Sequence, residues 1–407
     1  RSLGNALTLC QGEARRHEAA AEPKDVPPFT FLLVKLASRC NIKCTYCYWF
    51  RDPDVYRRPA VLTVEAEDAF CRRLEEHINA FGLEHFIVVF HGGEPLLFPK
   101  RRFVALQEKL LDIEKRTGCE ITRGVCTNAI LIDQEWVDIF DEFEVDVSVS
   151  LDGPPEIHDK YRLGLKGEAT HADTIRGLQV LRASGLEPGL IVVCNPATDP
   201  ERVVSYVVEE LGIKHFDILP PDANHNDNPP PIDGYFIKLF DVWYDKYAAQ
   251  GVRISTLDAM IQGLFGEVSI SDTIGLGPID TVTLMPDGSL EPLDVLRIAG
   301  DQSTRTDSSV QKNPLQAVQN DPCWRAAFEA STRPCEVCRN CEYFDACGGG
   351  HLAQRWSPTR NYDNPSVYCE SWKNIFEHIW KRVSPTLVLD YKAAPTRDPA
   401  SVPAPGN

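Results

Sequence analysis

Apolar residues along this chain fall into two alternating periods. Short runs dense in β-branched and aromatic residues, Phe31 to Ala37, Phe86 to Phe90, Gly124 to Cys126, Val145 to Leu151, Leu190 to Cys194 and His215 to Leu219, read as strands. Between them, Thr63 to Phe81, Arg102 to Lys115, Thr174 to Ala183 and Glu201 to Glu210 place apolar side chains every three to four positions and read as helices. Successive strand–helix units imply a parallel sheet, because parallel neighbours need a crossover that a helix supplies. The order predicts an α/β fold, a partial (β/α)6 TIM-like barrel whose site lies at the C-terminal strand ends.

Beyond Leu219 the pattern changes. Pro220 to Pro231 is dense in Pro, Asn and Asp and reads as a loop, and Tyr235 to Tyr247 as an amphipathic helix. Thr281 to Leu290 alternates around Pro286-Asp287-Gly288, a hairpin signal. The expected division is a lead-in over 1–30, the barrel over 31–222, a helical linker region over 223–280, a small C-terminal module over 281–385 and a flexible tail over 386–407.

At 407 residues the chain exceeds one ordinary compact core. No apolar run approaches the roughly 18 residues that span a bilayer, so no membrane partner is expected. The net charge of −17 gives phosphate backbones no electrostatic support, which argues against nucleic acid. Arg1 to Cys10 lacks a basic segment leading into an apolar stretch, so a cytoplasmic location is expected. Fourteen cysteines in such a chain point to metal ligation rather than to disulfides.

Cys40, Cys44 and Cys47 follow the first strand and precede Tyr48, Trp49 and Phe50. Three thiolates on a [4Fe-4S] cluster leave one iron open to a chelating cosubstrate, whereas a zinc site prefers four ligands. The run Cys40-Asn41-Ile42-Lys43-Cys44-Thr45-Tyr46-Cys47 resembles the signature of radical S-adenosylmethionine (SAM) enzymes. Phe90-His91-Gly92-Gly93-Glu94-Pro95 resembles that family's Gly-Gly-Glu segment, which implies that Gly92, Gly93 and Glu94 hold the cosubstrate's ammonium group. Thr127 and Asn128 end the third strand. Ser150 and Asp152, in Ser150-Leu151-Asp152-Gly153-Pro154, resemble the groups that contact ribose and carboxylate. Arg162 is a candidate carboxylate clamp, since a guanidinium pairs with a carboxylate bidentately. The resemblance implies a [4Fe-4S] cluster, S-adenosyl-L-methionine, and hydrogen abstraction by a 5′-deoxyadenosyl radical.

A second cluster runs Cys335, Cys338, Cys341, Cys347 and then Cys369, a density that signals metal, with structural zinc as the bland alternative. It resembles the SPASM module of many radical enzymes, which implies Cys338, Cys341, Cys347 and Cys369 as ligands of an auxiliary [4Fe-4S] cluster. The full SPASM pattern carries a second auxiliary cluster. Here Glu291 to Val295 contains no cysteine, and His351 stands where another is usual, so one auxiliary cluster is expected and His351 is read as a satisfied polar residue or a donor beside it. Cys10, Cys71, Cys119, Cys126 and Cys194 have no partners at ligand spacing and are assigned no role.

Gly348-Gly349-Gly350 and the run Asp363 to Cys369 resemble maturases of ribosomally made peptides. The leading expectation is therefore a cyclophane-forming enzyme acting on a precursor peptide, with a reducing partner such as flavodoxin or ferredoxin. The alternative is an anaerobic sulfatase-maturating enzyme making formylglycine, favoured by Ser150 to Arg162, or another modification such as thioether formation. A non-catalytic metal scaffold would not need the strand-end motifs. The sequence names no proton-accepting base.

Overall fold

The computed structural model describes residues 26–269 and 271–393. Residues 1–25 of the expected lead-in, with Cys10, and residues 394–407 of the expected tail lie outside the described residues, whereas residues 386–393 of that tail continue the helix Cys369–Ala393.

The strands are β1 Phe31–Ala37, β2 Ile42–Cys44, β3 His85–Gly92, β4 Glu120–Thr127, β5 Val145–Ser150, β6 Arg162–Gly164, β7 Gly189–Val193, β8 His215–Leu219, β9 Arg253–Ile254, β10 Val282–Leu284 and β11 Leu290–Glu291. Nine of them form one sheet in the order β11-β10-β1-β3-β4-β5-β7-β8-β9, parallel throughout except for the β10/β11 hairpin. All six strands expected from the sequence lie in it. β1 is buried at six successive positions, as a central parallel strand covered on both faces must be.

Local chemistry sets the helix limits. Val64–Phe81 starts where the Thr63 side chain accepts a hydrogen bond from the Ala66 amide, and it stops at Gly82 in the left-handed region. Its buried face, Ala66, Ala69, Phe70, Leu74 and Ile78, keeps the three-to-four spacing that fits the core. The helix Gln134–Glu142, with Asp133 capping the Trp136 amide, was not read from the pattern.

The sheet does not end at 222. β9 adds to the β8 edge, and β10 pairs in parallel with β1 in the register Leu32–Val282, Leu33–Thr283 and Val34–Leu284. The hairpin expected to open a separate module is thus the edge of the barrel sheet. Leu32 and Val34 are fully buried, so the backbone of β1 has no water on that side and needs a strand partner.

A buried ion network joins the segment after the first cysteine loop to this hairpin. Arg58 pairs with Asp54 at 2.6 Å, Asp287 at 2.6 Å and Glu291 at 2.8 Å. Arg297, 0% exposed, pairs with Asp52 at 2.9 Å and with Glu291, and its guanidinium lies 4.7 Å from the Trp49 ring centre.

Candidate functional site

The first cysteine loop is strapped down at several points. β2, inside it, pairs antiparallel with β6 so that Cys44 faces Arg162, and the Thr45 amide donates to Tyr161 O at 2.9 Å. Arg39 donates to Val55 O at 2.8 Å and Tyr56 O at 2.9 Å, and the buried Trp49 indole donates to Ser38 O. Cys40, Cys44 and Cys47 sit half-buried in this frame. Burial pushes the Cys40 thiol far above its ordinary value. It pushes Cys44 up to about 11, with Arg162 opposing. Such thiols become thiolates only against a strong local positive charge, which an iron cluster provides. Three thiolates in one loop suit a [4Fe-4S] cluster with one open iron better than zinc, which prefers four ligands.

Gly92 and Gly93 bring the end of β3 against the start of that loop. The Gly93 amide donates to Ala37 O and the Glu94 amide to Arg39 O, each at 2.9 Å. A Cβ would lie 2.2 Å from Ala37 O at Gly92 and 2.4 Å from Arg39 O at Gly93. The close approach these glycines permit is therefore to the chain itself. Glu94, 1% exposed, accepts from Thr127 Oγ1 at 2.7 Å, the Asn128 amide at 2.9 Å and the Leu96 amide at 3.0 Å. Burial pushes its carboxyl up to about 7. Asn128 Nδ2 donates to Asn41 Oδ1 at 2.8 Å, which connects this group to the cysteine loop.

Arg162 does clamp a carboxylate, but the carboxylate is Asp152, at 2.9 Å from Nε and 3.1 Å from Nη2. Asp152 also accepts from the Val193 amide and from Tyr46 Oη. Two residues expected to bind the cosubstrate separately are thus each other's partners, and Arg162 Nη1 is left 4.0 Å from Cys44 Sγ. Ser150 is half-buried at the end of β5, with Cys126 Sγ 3.9 Å from its hydroxyl.

A further polar group lies beside the loop and was not anticipated. Lys35, 0% exposed in the middle of β1, pairs with Asp294 and lies 3.0 Å from His91 Nδ1, and Tyr48 donates to the same carboxylate. Burial works against the Asp294 charge, yet Lys35, His91 and Tyr48 hold its carboxyl well below the usual range. Burial and Lys35 push His91 down to about 4. Half-buried Asp222 is pushed up to about 7 by burial and by the charges of Asp294 and Asp272. The signal for this group was Lys35 itself, a cation inside Phe-Leu-Leu-Val-Lys-Leu-Ala that a buried strand can hold only if paired.

The second cysteine cluster gathers as the sequence implied. Cys338, Cys341, Cys347 and Cys369 line one cavity of about 400 Å³. Cys335 Sγ lies 3.5 Å from Cys338 Sγ, and Cys323 donates to Ser303 O. Leu293, Val295, Leu352 and Ala353 form a small apolar core. His351 is buried, and burial lowers its affinity for a proton. Cys71, Cys119 and Cys194 are buried and Cys126 is half-buried, none within either cysteine group.

The glycine run is a backbone device. Gly348, Gly349 and Gly350 have φ of 60°, 89° and 73°, and the buried Arg355 guanidinium donates to all three carbonyls, at 2.6 Å to Gly348 O. Asn364 Nδ2 donates to Arg355 O at 2.9 Å and to Ser357 Oγ at 3.0 Å.

Residues 34–204 match the Radical SAM superfamily. That stretch is a radical SAM domain. It uses a [4Fe-4S] cluster and S-adenosylmethionine. The chain is 25% identical over 377 residues to the cysteine-type anaerobic sulfatase-maturating enzyme of Clostridium perfringens, an alignment covering 88% of this chain and 98% of the relative. It is 28% identical over 172 residues to the serine-type enzyme of Bacteroides thetaiotaomicron, covering 41% of this chain and 40% of that one. The solved structure of native anSMEcpe with bound AdoMet and the Kp18Cys peptide has the same fold, with a TM-score of 0.75, 24% identity, and coverage of 88% and 99% of the two chains.

These relatives correct the expectation of a cyclophane-forming maturase. Relatives that align over 86–88% of the chain are cysteine-type anaerobic sulfatase-maturating enzymes, the reading ranked second from the sequence. The physical reason is that Gly348 to Gly350 and Asn364, which favoured the cyclophane reading, shape the backbone around Arg355 and carry no information about substrate. Among the described residues no helix is long and apolar enough to cross a membrane.

Proposed function

We propose that this radical SAM enzyme oxidises a cysteine or serine side chain of a peptide substrate to formylglycine. The observation that carries the reading is the alignment with the Clostridium perfringens enzyme over 88% of this chain. In this reading Cys40, Cys44 and Cys47 hold the radical cluster, and Cys338, Cys341, Cys347 and Cys369 hold the auxiliary one. Glu94, beside Thr127 and Asn128, takes the cosubstrate's ammonium group. Gly92 and Gly93 seat that segment against the cysteine loop, and Ser150 and Asp152, the latter held by Arg162, border the rest of the cosubstrate.

When bound, the cluster and cosubstrate supply a 5′-deoxyadenosyl radical that takes one hydrogen atom from the substrate Cβ. The substrate must then lose one proton and one electron. For cysteine this leaves a thioaldehyde, and water converts it to formylglycine with release of hydrogen sulfide. Of the two carboxylates beside the loop, Asp222 is the better matched to accept the proton, since burial pushes it up to about 7, whereas, despite burial, Lys35 and Tyr48 hold Asp294 well below the usual range. A cluster held by Cys338, Cys341, Cys347 and Cys369 would supply an acceptor for the electron, and a flavodoxin or ferredoxin would supply the reducing electron that starts the cycle.

The test is anaerobic incubation with dithionite, S-adenosylmethionine and peptides carrying Cys or Ser, read by mass spectrometry. A cysteine that exchanges sulfur for oxygen and loses two hydrogens supports the reading. Loss of two hydrogens with sulfur retained in a new bond would replace formylglycine formation by thioether formation.

A further inference from the structure

The auxiliary cavity contains a polar group that no protein atom satisfies. Trp372 is 1% exposed, its indole Nε1 has no hydrogen-bond partner among the described residues, and its ring lines the cavity with Cys338, Cys341, Cys347 and Cys369. It follows Cys369 by three residues in the helix Cys369–Ala393, so both side chains project from one helix face. On the other side, Gly350 packs so closely that a Cβ there would lie 3.3 Å from Nε1. A buried donor without an acceptor costs its full desolvation, and indole can only donate. The residues around it therefore leave a place for an acceptor that the polypeptide does not itself provide.

We infer that Trp372 donates its indole N–H to a sulfur of the auxiliary [4Fe-4S] cluster and raises its reduction potential. The inference rests on the assignment of the four cysteines to that cluster. A donor to sulfur stabilises the more negative, reduced state, which shifts the potential upward. The buried Arg355 acts in the same direction, since its positive charge interacts with Cys338 and Cys347 across the Gly348 to Gly350 turn.

Trp372→Phe keeps a ring of similar shape and removes the N–H. The measurement uses full-length, anaerobically reconstituted protein in which Cys40, Cys44 and Cys47 are also Ala, so that one centre contributes to the spectrum. Trp372→Phe is expected to leave about four irons per chain and to shift the midpoint of that centre to a more negative potential. It is also expected to abolish an exchangeable-deuteron coupling seen by electron–nuclear double resonance in D2O. An unchanged potential with full iron overturns the proposal. Absence of the coupling in the Trp372 parent overturns it too, whether or not the Phe variant folds. Failure of the cluster assignment gives a different result, an iron count that Cys338→Ala does not lower.

Discussion

Replacing Glu94 by Gln removes one charge and one acceptor from a carboxylate that receives three donors. Thr127 Oγ1 and the Leu96 amide point at one oxygen, and the Asn128 amide at the other. In its better orientation the Gln amide keeps its oxygen toward Thr127 and Leu96 and turns its NH2 toward the Asn128 amide. One buried N–H then loses its acceptor, at a cost of about 1–3 kcal/mol in stability. Binding is affected more. If Glu94 holds the cosubstrate's ammonium group, the variant leaves that cation without its buried counter-charge, a loss of about 2–5 kcal/mol. At 1.4 kcal/mol per tenfold, this is roughly a 30- to 4,000-fold weaker dissociation constant for S-adenosylmethionine. Isothermal titration of the anaerobically reconstituted protein reads the affinity, and iron content verifies that the cluster is intact. Binding within about threefold of wild type, with only the stability loss, would refute the assignment. Glu94 would then serve only to pin the Thr127–Asn128 turn.

Other substitutions separate the remaining groups. Arg297→Met strands Asp52 and Glu291 in the interior and is expected to destabilise the protein by about 3–5 kcal/mol in denaturant titrations; a loss below about 1 kcal/mol would mean that Arg58 alone compensates Glu291. Cys369→Ala is expected to lower iron from about eight to about four per chain while the radical cluster remains. Asp222→Asn is expected to leave cosubstrate cleavage under dithionite intact and to slow peptide oxidation about 100-fold or more, measured as the ratio of product to 5′-deoxyadenosine; equal losses of both would move the proton acceptor elsewhere. Burial pushes both His91 and His158 down to about 4. They ionise near 6.5 when unfolded, so the unfolded chain binds more protons below that pH. Their contribution, up to about 3 kcal/mol each, is present above pH 6.5 or so and is lost as the pH falls toward about 4. A denaturation midpoint that does not move over that window would count against it.

What the sequence disclosed was local. The strands of the barrel could be read because a strand covered on both faces must be apolar almost throughout, as β1 is, and Thr63 and Gly82 mark the ends of their helix by cap chemistry alone. The candidate metal ligands stood out because three cysteines fall in one loop and four in a short stretch, and those four line one cavity. Pairings between distant segments could not. β10 contributes three residues to the sheet, and nothing in them says that their neighbour is β1. Lys35 and Asp294 are 259 positions apart, so a lysine in an apolar strand announced that a partner existed without naming it. Asp152 and Arg162 were recognised as functional types, but their mutual hydrogen bonds depend on where β6 places the arginine.

The pairing of β1 with β10 also has a cost in time. The ribosome makes β10 about 250 residues after β1, which at 5–20 residues per second is roughly 12 to 50 seconds later. Until then one edge of β1 has no neighbour and Lys35 lacks its counter-ion, since Asp294 is translated later still. A nascent chain in that interval exposes an apolar strand edge, the feature most prone to pair with the wrong partner. The loop of Cys40, Cys44 and Cys47 is made directly after β1, so for the same interval it too stands without Asp294 and the hairpin that packs beside it.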